Sequence, residues 1–322
     1  MKMLVTGGGG FIGSNFVQLV TRERPNYSLT VLDSLTYAGN LSSLEPVASQ
    51  IRFVQGSVTD ESLVEELVAD CDVVVHFAAE SHVDNSLTGP LPFVETNILG
   101  TFRLLEAVRR HQKHLHHVST DEVFGDLDLD SPERFTESTP YNPSSPYSAT
   151  KASSDFLVRA WSRSYGIRAT ISNCSNNYGP YQHPEKFIPR CITLLLDNRK
   201  PKLFGEGRNV RDWIHVEDHN TAVLQIIESG KIGETWLIGA DGEYSNREVL
   251  DLILQMMGKP PTFFESVKDR AGHDLRYAID AKRLRSELGW SPNYSEFEQG
   301  LGATIDWYRT NTDWWQPLVE GR

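Results

Sequence analysis

Tyr147 and Lys151 are the first residues whose types and spacing could do chemistry. They lie four positions apart, which places both side chains on one face of a helix, about one turn apart. A tyrosine phenol titrates near about 10, so it acts as a base at neutral pH only when a cation lowers its pKa. Lys151 would supply such a cation. The pair therefore predicts removal of the hydroxyl proton of a secondary alcohol while its hydride leaves.

A second reactive group is the run Thr120-Asp121-Glu122, which follows a short apolar segment. Elimination of water needs a base for a carbon-bound proton and an acid for the departing hydroxyl. Two adjacent carboxyl groups in a loop can point at one substrate, with one held protonated and the other ionised. The pair could instead only solvate the end of a strand, and the residues alone leave both possibilities open.

A glycine-rich turn at Thr6–Ser14 predicts a nucleotide site. Gly7, Gly10 and Gly13 follow an apolar run and open an apparent helix that continues with Phe11 and Ile12. Glycines permit a tight turn, allow backbone N–H groups to approach a pyrophosphate, and direct a helix N-terminus at its negative charge.

Asp33 predicts which dinucleotide would bind at this turn. It ends the second apolar run, 20 residues after Gly13, where a carboxylate can accept hydrogen bonds from the adenosine ribose hydroxyls. The same carboxylate would repel a 2′-phosphate, and Ser34, Leu35 and Thr36 offer no arginine to bind one. The sequence therefore favours NAD over NADP, and a bound nicotinamide ring would add positive charge beside Tyr147.

Short apolar runs alternate with helix-like stretches through the first half of the chain. The predicted strands are Met3–Thr6, Ser28–Leu32, Ile51–Val54, Val73–Phe77, Leu115–Ser119 and Ala169–Asn173, and the predicted helices are Phe11–Arg22, Glu61–Ala69, Phe93–His111 and Tyr147–Tyr165. Runs without polar alternation suit strands that are covered on both faces. The alternation predicts an α/β fold, a Rossmann-type doubly wound parallel sheet.

The second half of the chain is richer in proline, glycine and charge. We predict two parts: residues 1–178 as the NAD-binding domain, and residues 179–322 as a smaller, partly helical part that binds substrate, with some segments exchanging between the two. The tryptophans near the C-terminus are expected to pack a last helix onto the body.

Composition excludes several classes of function. The 322 residues carry a net charge of −12, which disfavours nucleic acid as a partner. No apolar run approaches the about 20 residues that span a bilayer, and the N-terminus does not resemble a secretory signal. Three widely spaced cysteines indicate reduced thiols and a cytoplasmic protein. His114, His116 and His117 alternate along a predicted strand, so no metal site is expected.

Together these features resemble the extended short-chain dehydrogenase/reductase family. Thr120-Asp121-Glu122 narrows the resemblance to its nucleotide-sugar 4,6-dehydratases, and further segments are similar to those that act on dTDP-glucose. These segments are Leu35–Asn40, Ala78–Asp84, Asn173–Pro180, Pro184–Lys186 and Gly272–Tyr277. Ser57 departs from the family, which usually has an aspartate there.

The resemblance implies a cycle of C4 oxidation, C5–C6 elimination and hydride return to C6 through bound NAD. In it Tyr147, with Lys151 and Thr120, handles the C4 hydroxyl proton, Asp121 is the acid and Glu122 the base. The implied cofactor residues are Gly7, Gly10, Phe11, Ile12, Gly13, Asp33, Ser34, Leu35, Thr36, Ser57, Val58, Phe77, Ala78, Ala79, Ser81, Thr96, Tyr147, Lys151 and Asn177.

The resemblance also implies residues that hold the diphosphate, base and sugar of the substrate. They are Ser81, Thr120, Asn176, Lys186, Leu203, Phe204, Arg211, Asn246, Arg270 and His273. Arg211 and Arg270 are the candidates for the phosphates, because a guanidinium can meet them through paired hydrogen bonds.

Three questions stay open at the level of sequence. The chain could be another nucleotide-sugar 4,6-dehydratase or a 4-epimerase of the same fold, although an epimerase has no use for the Asp-Glu pair. It could be a regulator that binds NAD without catalysis, although such a protein would be expected to lose Tyr147 or Lys151. The family also implies a homodimer formed through the Phe93–His111 and Tyr147–Tyr165 helices, which periodicity alone does not predict.

Overall fold

The structure, a computed structural model, describes residues 1–268 and 274–320. Its strands are β1 (Lys2–Thr6), β2 (Ser28–Asp33), β3 (Ile51–Gln55), β4 (Val73–His76), β5 (His114–Thr120), β6 (Arg168–Cys174), β7 (Asn176–Tyr178), β8 (Lys202–Phe204), β9 (Val210–His215), β10 (Thr235–Ile238), β11 (Glu243–Ser245) and β12 (Glu265–Val267). Seven of them form one sheet in the order β10-β6-β5-β4-β1-β2-β3, and every neighbouring pair in it is parallel.

Helices cover both faces of this sheet. They are α1 (Phe11–Glu23), α2 (Glu61–Ala69), α3 (Val83–Thr88), α4 (Leu91–Phe93), α5 (Thr101–His111), α6 (Pro146–Tyr165), α7 (Phe187–Leu196), α8 (Val216–Ser229), α9 (Asn246–Met256), α10 (Lys282–Leu288), α11 (Phe297–Thr310) and α12 (Thr312–Glu320). Among these described helices, none is both long and apolar enough to cross a bilayer.

The apolar sequences of the strands explain why both faces of the sheet are covered by helices. Met3 and Val5 of β1 pack with α1 and α8 in one core, while Leu4 between them packs with α2, α5 and α6 in a second core on the opposite face. Because successive side chains of a strand point to opposite faces, a strand that is apolar throughout must be covered twice. The Rossmann-type α/β fold predicted from the sequence is confirmed.

The predicted elements of the first half agree with the structure, with one change inside a helix. The stretch predicted as a helix over Phe93–His111 is helical throughout, but Val94–Gly100 is wound as a π-helix between α4 and α5. Such segments are rare and often lie at functional sites. The 3₁₀ helix at Leu41–Gln50 has no counterpart among the sequence predictions.

The C-terminal half forms its own apolar core and also completes the central sheet. The C-terminal core is formed by side chains of α7, α9, α11 and α12. This half also contains a three-stranded sheet, β11-β9-β7, and a two-stranded sheet, β12-β8. Strand β10 instead pairs with β6, and α8 packs against α1. The Trp315 indole is buried in the C-terminal core, while Trp314 donates to the Ser43 hydroxyl at 3.1 Å.

Candidate active site

A cleft of about 580 Å³ runs along the carboxyl ends of the central strands. Its lining includes residues that directly follow β1, β2, β3, β4, β5 and β6. In an open α/β sheet this edge is where ligands bind, because the strand order reverses there and the crossing helices diverge. The lining places the glycine turn at one end and Tyr147, Lys151 and Thr120–Glu122 at the other, so we call these the nucleotide end and the reacting end.

The glycine turn leaves room for a ligand only because side chains are absent. A Cβ on Gly7 would lie 2.5 Å from the Ala78 nitrogen, and Gly7 has a φ of +73° that L-residues rarely adopt. A Cβ on Gly13 would lie 2.3 Å from the Gly7 carbonyl oxygen. Helix α1 begins after Gly10, whose position offers no side-chain cap. Its first N–H groups are therefore available to an anion.

Asp33 is fixed at the end of β2 by two backbone donors. Its carboxylate accepts the Gly9 N–H at 2.8 Å and the Leu35 N–H at 2.8 Å. A carboxylate has about four acceptor positions, so each oxygen can still accept a hydroxyl. The carboxylate lines the nucleotide end beside Ser57, whose hydroxyl bonds Thr59.

Several buried polar atoms of the cleft lining are left for a ligand to bond. Among the described residues, several buried oxygen atoms of the lining have no hydrogen-bond partner within the protein: Ser119 Oγ, Ser175 Oγ, Asn176 Oδ1 and Asn177 Oδ1. Buried polar atoms are nearly always hydrogen-bonded in folded proteins. These atoms are accordingly positioned to bond a ligand.

The sequence before Tyr147 fixes its place at the start of α6. Ser145 caps the helix by accepting the Ser148 N–H at 3.1 Å, and the Ser148 hydroxyl accepts the Ser145 N–H at 3.0 Å. Pro146 occupies the first helical turn, where its missing N–H costs nothing. Tyr147 therefore begins the helix at a defined angle, with its ring edge against Phe93.

The charges around Tyr147 differ from the sequence expectation. Burial and the nearby Glu122 carboxylate raise the pKa of Tyr147 well above its usual value, and a hydrogen bond from Thr120 counters them only in part. Lys151 lies one turn further along α6 and donates to the Val118 carbonyl at 2.8 Å. The lowering of the Tyr147 pKa by Lys151 together with a bound nicotinamide ring stays a prediction, because the protein groups that act on Tyr147 raise its pKa on balance.

The Asp-Glu pair lies in a single 3₁₀ turn, Asp121–Phe124, directly after β5. The Thr120 hydroxyl accepts the Glu122 N–H at 3.2 Å and donates to Asp121 Oδ1 at 3.2 Å. Burial, the Glu122 charge and the Asp212 charge raise the pKa of Asp121 well above its usual value. The raised pKa favours the protonated form of Asp121, which is the form of a general acid.

The pKa of Glu122 is affected differently from that of Asp121, because two cations, Arg211 and Lys186, act on Glu122. Burial raises the pKa of Glu122 to about 7, but the charges of Arg211 and Lys186 act against that rise. A carboxyl group with this pKa is ionised in a large fraction of molecules at neutral pH, as a general base must be. The two neighbours therefore differ in the charges that act on them: carboxylates reinforce the effect of burial on Asp121, whereas cations oppose it at Glu122.

The guanidinium of Arg211 is held in place by contacts with the neighbouring backbone and with Tyr277. Its guanidinium donates to the Val210 and Asp274 carbonyls at 2.8 and 3.0 Å and lies over the Tyr277 ring, 4.4 Å from its centre. The Tyr277 hydroxyl in turn donates to the Asp274 carboxylate. The segment after residue 273 therefore fixes the cation that faces Glu122.

Most of the predicted residues that the structure describes meet in this cleft. The five catalytic candidates line it, as do all the cofactor candidates except Leu35, whose N–H bonds Asp33. Of the substrate candidates, the cleft lining includes Ser81, Thr120, Asn176 and Lys186. Arg270 and His273 lie outside the described residues.

The other substrate candidates lie in the C-terminal half, beyond the cleft lining. Leu203 is buried in the C-terminal core, Phe204 ends β8, and Asn246 begins α9. Backbone hydrogen bonds hold the segment between Phe204 and Asn246 in place. The Gly207 N–H donates to the Phe204 carbonyl, and the Asn246 N–H donates to the Asn209 carbonyl. Arg211 lies on β9 between them and the reacting end.

Sequence reasoning missed several residues of the lining. Tyr37, Glu80, His183 and Glu185 face the cleft, and all four fall inside or beside the segments that carried the family resemblance. Asn97, in the π-helical segment, bonds both backbone groups of Glu80 at 2.9 and 3.0 Å. The Ala78–Asp84 segment could have pointed to Glu80, but no sequence pattern predicts the π-helix that places Asn97.

Comparison with known proteins gives a consistent result. The model of the GDP-mannose 4,6 dehydratase family matches residues 4–304. Among curated proteins, the dTDP-glucose 4,6-dehydratase of Mycolicibacterium smegmatis is 65% identical over 99% of this chain and 97% of its own length. The protein of the same name from Mycobacterium tuberculosis strain H37Rv is 64% identical over the same shares.

Solved structures give the same picture. DesIV, a dTDP-glucose 4,6-dehydratase from Streptomyces venezuelae crystallised with NAD bound, superposes with a TM-score of 0.94 at 46% identity, over 99% of this chain and 100% of that chain. A UDP-glucose 4-epimerase from Thermotoga maritima superposes with a TM-score of 0.89 at 27% identity, over 97% and 100%. The fold is thus shared with epimerases, but the sequence is much closer to the dehydratases.

Proposed function

The chain belongs to the family of nucleotide-sugar 4,6-dehydratases, and on that premise we propose that it converts dTDP-glucose to dTDP-4-keto-6-deoxyglucose and water. It is an NAD-dependent hydro-lyase. The support is the 65% identity to a protein of that name over 99% of the chain, together with the reacting end described above. The substrate is a nucleotide sugar, for which the C-terminal half supplies the residues that would hold the base and phosphates.

NAD fits the cleft, and this chain's own residues would hold it. The N–H groups at the start of α1 would bind its pyrophosphate, Asp33 a ribose, and Asn177 with its neighbours the nicotinamide amide. When bound, NAD takes hydride from C4 of the sugar and later returns it to C6, and its oxidised ring adds positive charge near Tyr147. Because the cofactor ends each cycle as it began, we expect it to stay bound between turnovers.

The protein side chains carry the protons of the reaction. Tyr147, which lines the cleft with Thr120 and with Lys151 one helical turn away, takes the proton of the C4 hydroxyl. The resulting 4-ketone acidifies the hydrogen on C5, and Glu122 removes that hydrogen as a proton. Asp121 gives its own proton to the C6 oxygen, which leaves as water. A proton is restored at C5 at the end, so the net reaction is loss of water.

One observation supports this proposal: two adjacent carboxyl groups of one turn lie in the same cleft as Tyr147 and have differently displaced pKa values. The pKa of Asp121 is raised well above its usual value, and that of Glu122 is raised to about 7. An epimerase removes and returns hydride at one carbon, so it needs neither an acid for a leaving hydroxyl nor a base for C5. The epimerase alternative is therefore not supported by the site, nor by the 27% identity to the T. maritima enzyme.

The experiment is incubation of the purified protein with dTDP-glucose, UDP-glucose, UDP-GlcNAc and GDP-mannose in separate reactions. We expect a 4-keto-6-deoxy product from dTDP-glucose above all, detected by mass spectrometry as the loss of 18 mass units expected for water. A 4-epimer of unchanged mass would support the epimerase alternative instead. Product from GDP-mannose alone would mean that the base-recognition residues are assigned wrongly.

We also propose that the protein is a homodimer that associates through the face formed by α3, α4, the π-helical segment and α6. Large apolar side chains are exposed there: Leu87, Leu91, Val94, Leu99 and Phe156. An exposed apolar patch of this kind marks an interaction surface, and a second copy of the chain would bury it. Leu99→Glu with Phe156→Glu should give a monomer in analytical ultracentrifugation. Leu41→Glu, at an equally exposed leucine elsewhere, should not change the mass.

A cytoplasmic location is the last part of the proposal. It is supported by Cys71, Cys174 and Cys191, which are all buried and unpaired, as is usual where thiols stay reduced. Cell fractionation of the source organism tests it, and recovery from a secreted or membrane fraction would contradict it.

A further inference from the structure

The face of α6 that carries Tyr147 and Lys151 continues with two more charged residues. Asp155 and Arg159 follow at the same four-residue interval, so all four side chains lie along one side of the helix. Tyr147 and Lys151 line the cleft, whereas the Asp155 side chain lies behind it and is completely buried. The mechanism above gives no role to this buried carboxylate.

The Asp155 carboxylate is bonded so that it stays ionised. Its Oδ2 accepts the Tyr141 hydroxyl at 2.8 Å and the Asn173 amide at 3.1 Å, and its Oδ1 lies 3.2 Å from His117 Nε2. These contacts and the Lys151 charge lower the pKa of Asp155 although burial acts in the opposite direction. A buried charge of this kind needs a counter-charge nearby.

Lys151 is the cation that can supply this counter-charge. Burial and the Lys151 charge lower the pKa of His117, and its contact with Asp155 counters them only in part. Arg159 reaches Asp155 only indirectly, since it donates to the Tyr141 hydroxyl at 2.7 Å and the phenol lies between them. Lys151 is buried one turn earlier on the helix, and among the described residues its ammonium donates to the neutral Val118 carbonyl. The charge of each of these two groups favours the ionised form of the other.

Other titratable groups also act on this pair, from each element packed against it. Burial lowers the pKa of Lys151, while the Asp155 and Cys174 groups act to raise it. The groups that surround the pair are Tyr147 on α6, His76 on β4, His117 on β5, Cys174 on β6 and Tyr141 in the preceding loop, with Arg159 behind it. None of these surrounding groups is a carboxylate, so Asp155 is the carboxylate of this cluster of described residues.

Asp155 is also connected to the reacting end through one amide. Asn173 Nδ2 donates both to Asp155 Oδ2 at 3.1 Å and to the Thr120 carbonyl at 3.0 Å. Thr120 begins the turn that holds Asp121 and Glu122, so the Asp155 contacts reach the backbone of the acid-base pair as well as the lysine.

We propose that Asp155 is a positioning residue for the reaction, whose buried carboxylate keeps the Lys151 ammonium charged and anchors the end of β5 through Asn173. It does not touch substrate. The proposal rests on the proposed function for the use to which the lysine charge is put, but the proposed interaction between the two buried charges can be measured without substrate.

The first test compares the pH profiles of Asp155→Asn and Tyr141→Phe. Asp155→Asn removes the charge at almost constant volume, so Lys151 should lose its proton at lower pH. The alkaline limb of kcat/KM should then move down by about one pH unit or more, the shift usual for loss of a nearby opposite charge. Tyr141→Phe removes a hydrogen bond to Asp155 but keeps the Asp155 charge. The alkaline limb of kcat/KM in this variant should therefore lie within a few tenths of a pH unit of the wild-type limb. Equal shifts, or no shift in Asp155→Asn, would overturn the proposal.

The second test needs no activity and still decides the matter if Asp155→Asn proves unstable. In a double-mutant cycle, Lys151→Met and Asp155→Asn should each lower the Tm, because each leaves one buried charge without its partner. The double variant should be more stable than the sum of the two losses predicts. Additive losses would overturn the proposal. A wild-type protein that makes no 4-keto-6-deoxy product would instead contradict the proposed function and leave the cycle valid.

Discussion

The two ends of the cleft are built in opposite ways. At the nucleotide end the important feature is what is missing: Gly7 and Gly13 have no side chain, and a single added carbon would lie within 2.6 Å of backbone atoms. At the reacting end the important features are side chains, namely Tyr147, Asp121 and Glu122, each with a pKa displaced by burial and by its neighbours.

This difference shows what each task requires. Binding a pyrophosphate needs close approach of backbone N–H groups, which only glycine allows. Moving protons at neutral pH needs groups whose pKa values are pushed apart, which requires buried ionisable side chains next to one another. Substitutions should therefore act on catalysis at one end and on cofactor retention at the other.

The largest effect is expected from Tyr147→Phe at the reacting end. It removes the proton acceptor and keeps the ring that packs on Phe93, so turnover of dTDP-glucose should fall by about 10²-fold or more while cofactor content and Tm change little. Steady-state kinetics and analysis of nucleotide released on denaturation measure the two quantities. Tyr165→Phe, the same change at the exposed end of the same helix, should leave turnover unchanged. Near-normal turnover in Tyr147→Phe would mean that the tyrosine-lysine spacing is coincidental.

At the nucleotide end, Gly13→Ala should weaken cofactor binding without touching an ionisable group. Its Cβ would lie 2.3 Å from the Gly7 carbonyl oxygen. Overpacking of this kind costs about 1–3 kcal/mol. Each 1.4 kcal/mol by which it destabilises the NAD complex more than the free protein lowers the affinity for NAD about tenfold. Calorimetric titration of NAD into the cofactor-free protein measures it. Gly302→Ala, where a Cβ would meet nothing within 4 Å, is the control. Equal affinity in both variants would remove the steric argument for the turn.

The pH dependence of turnover should reflect the reacting end. Glu122 must be ionised to take a proton, and its pKa is about 7, so kcat should fall about tenfold for each pH unit well below 7. Arg211→Gln removes a positive charge that favours the ionised form, so the acid limb should move to higher pH in that variant. A limb that stays in place would show that another group controls it.

The smallest effect concerns stability, in the strand that leads to the reacting end. His116 is fully buried between the Thr170 and Ser172 hydroxyls, and burial lowers its pKa well below 6.5 and that of His114 to about 4. The unfolded chain binds protons below pH 6.5 that the folded chain does not, so stability should be complete above that pH and decline towards pH 4. Buried carboxyl groups such as Glu122 act in the opposite direction over this range, so the comparison with His116→Gln isolates the effect of the histidine. The Tm of wild type should fall more steeply, or rise less, between pH 7.5 and 5 than the Tm of His116→Gln. Parallel Tm curves for the two proteins would contradict the account of this histidine.

The sequence predicted the nucleotide end better than the reacting end, for a physical reason. Glycine spacing and the position of Asp33 are local features, because a turn and the strand before it are set by a few consecutive residues. The strand runs likewise predicted the sheet, since residues apolar on both faces fit only a covered strand. Site residues within a few positions of a strand end could therefore be placed from the sequence.

What the sequence could not supply depends on contacts between distant segments. Burial raises the pKa of both Asp121 and Glu122. Groups far along the chain then act on them as well: Asp212 on Asp121, and Arg211 and Lys186 on Glu122. Asp155 could be placed on the helix face by spacing, but not among its partners, which come from β5, β6 and a loop. The sequence also suggested that Lys151 governs the Tyr147 pKa, whereas burial, which spacing does not report, has the larger effect.

The central claim is that Asp121 and Glu122 carry out an elimination, and a reaction in D₂O tests it most directly. We measure deuterium at C5 of the sugar by NMR, together with product formation, for wild type, Glu122→Gln and Asp121→Asn. Wild type should release a 4-keto-6-deoxy product that carries solvent deuterium at C5. Glu122→Gln should suppress both the exchange and the product, whereas Asp121→Asn should suppress the product and reduce the exchange less. If both variants form product at the wild-type rate with normal exchange, the pair only solvates the end of β5 and the proposed elimination mechanism is wrong.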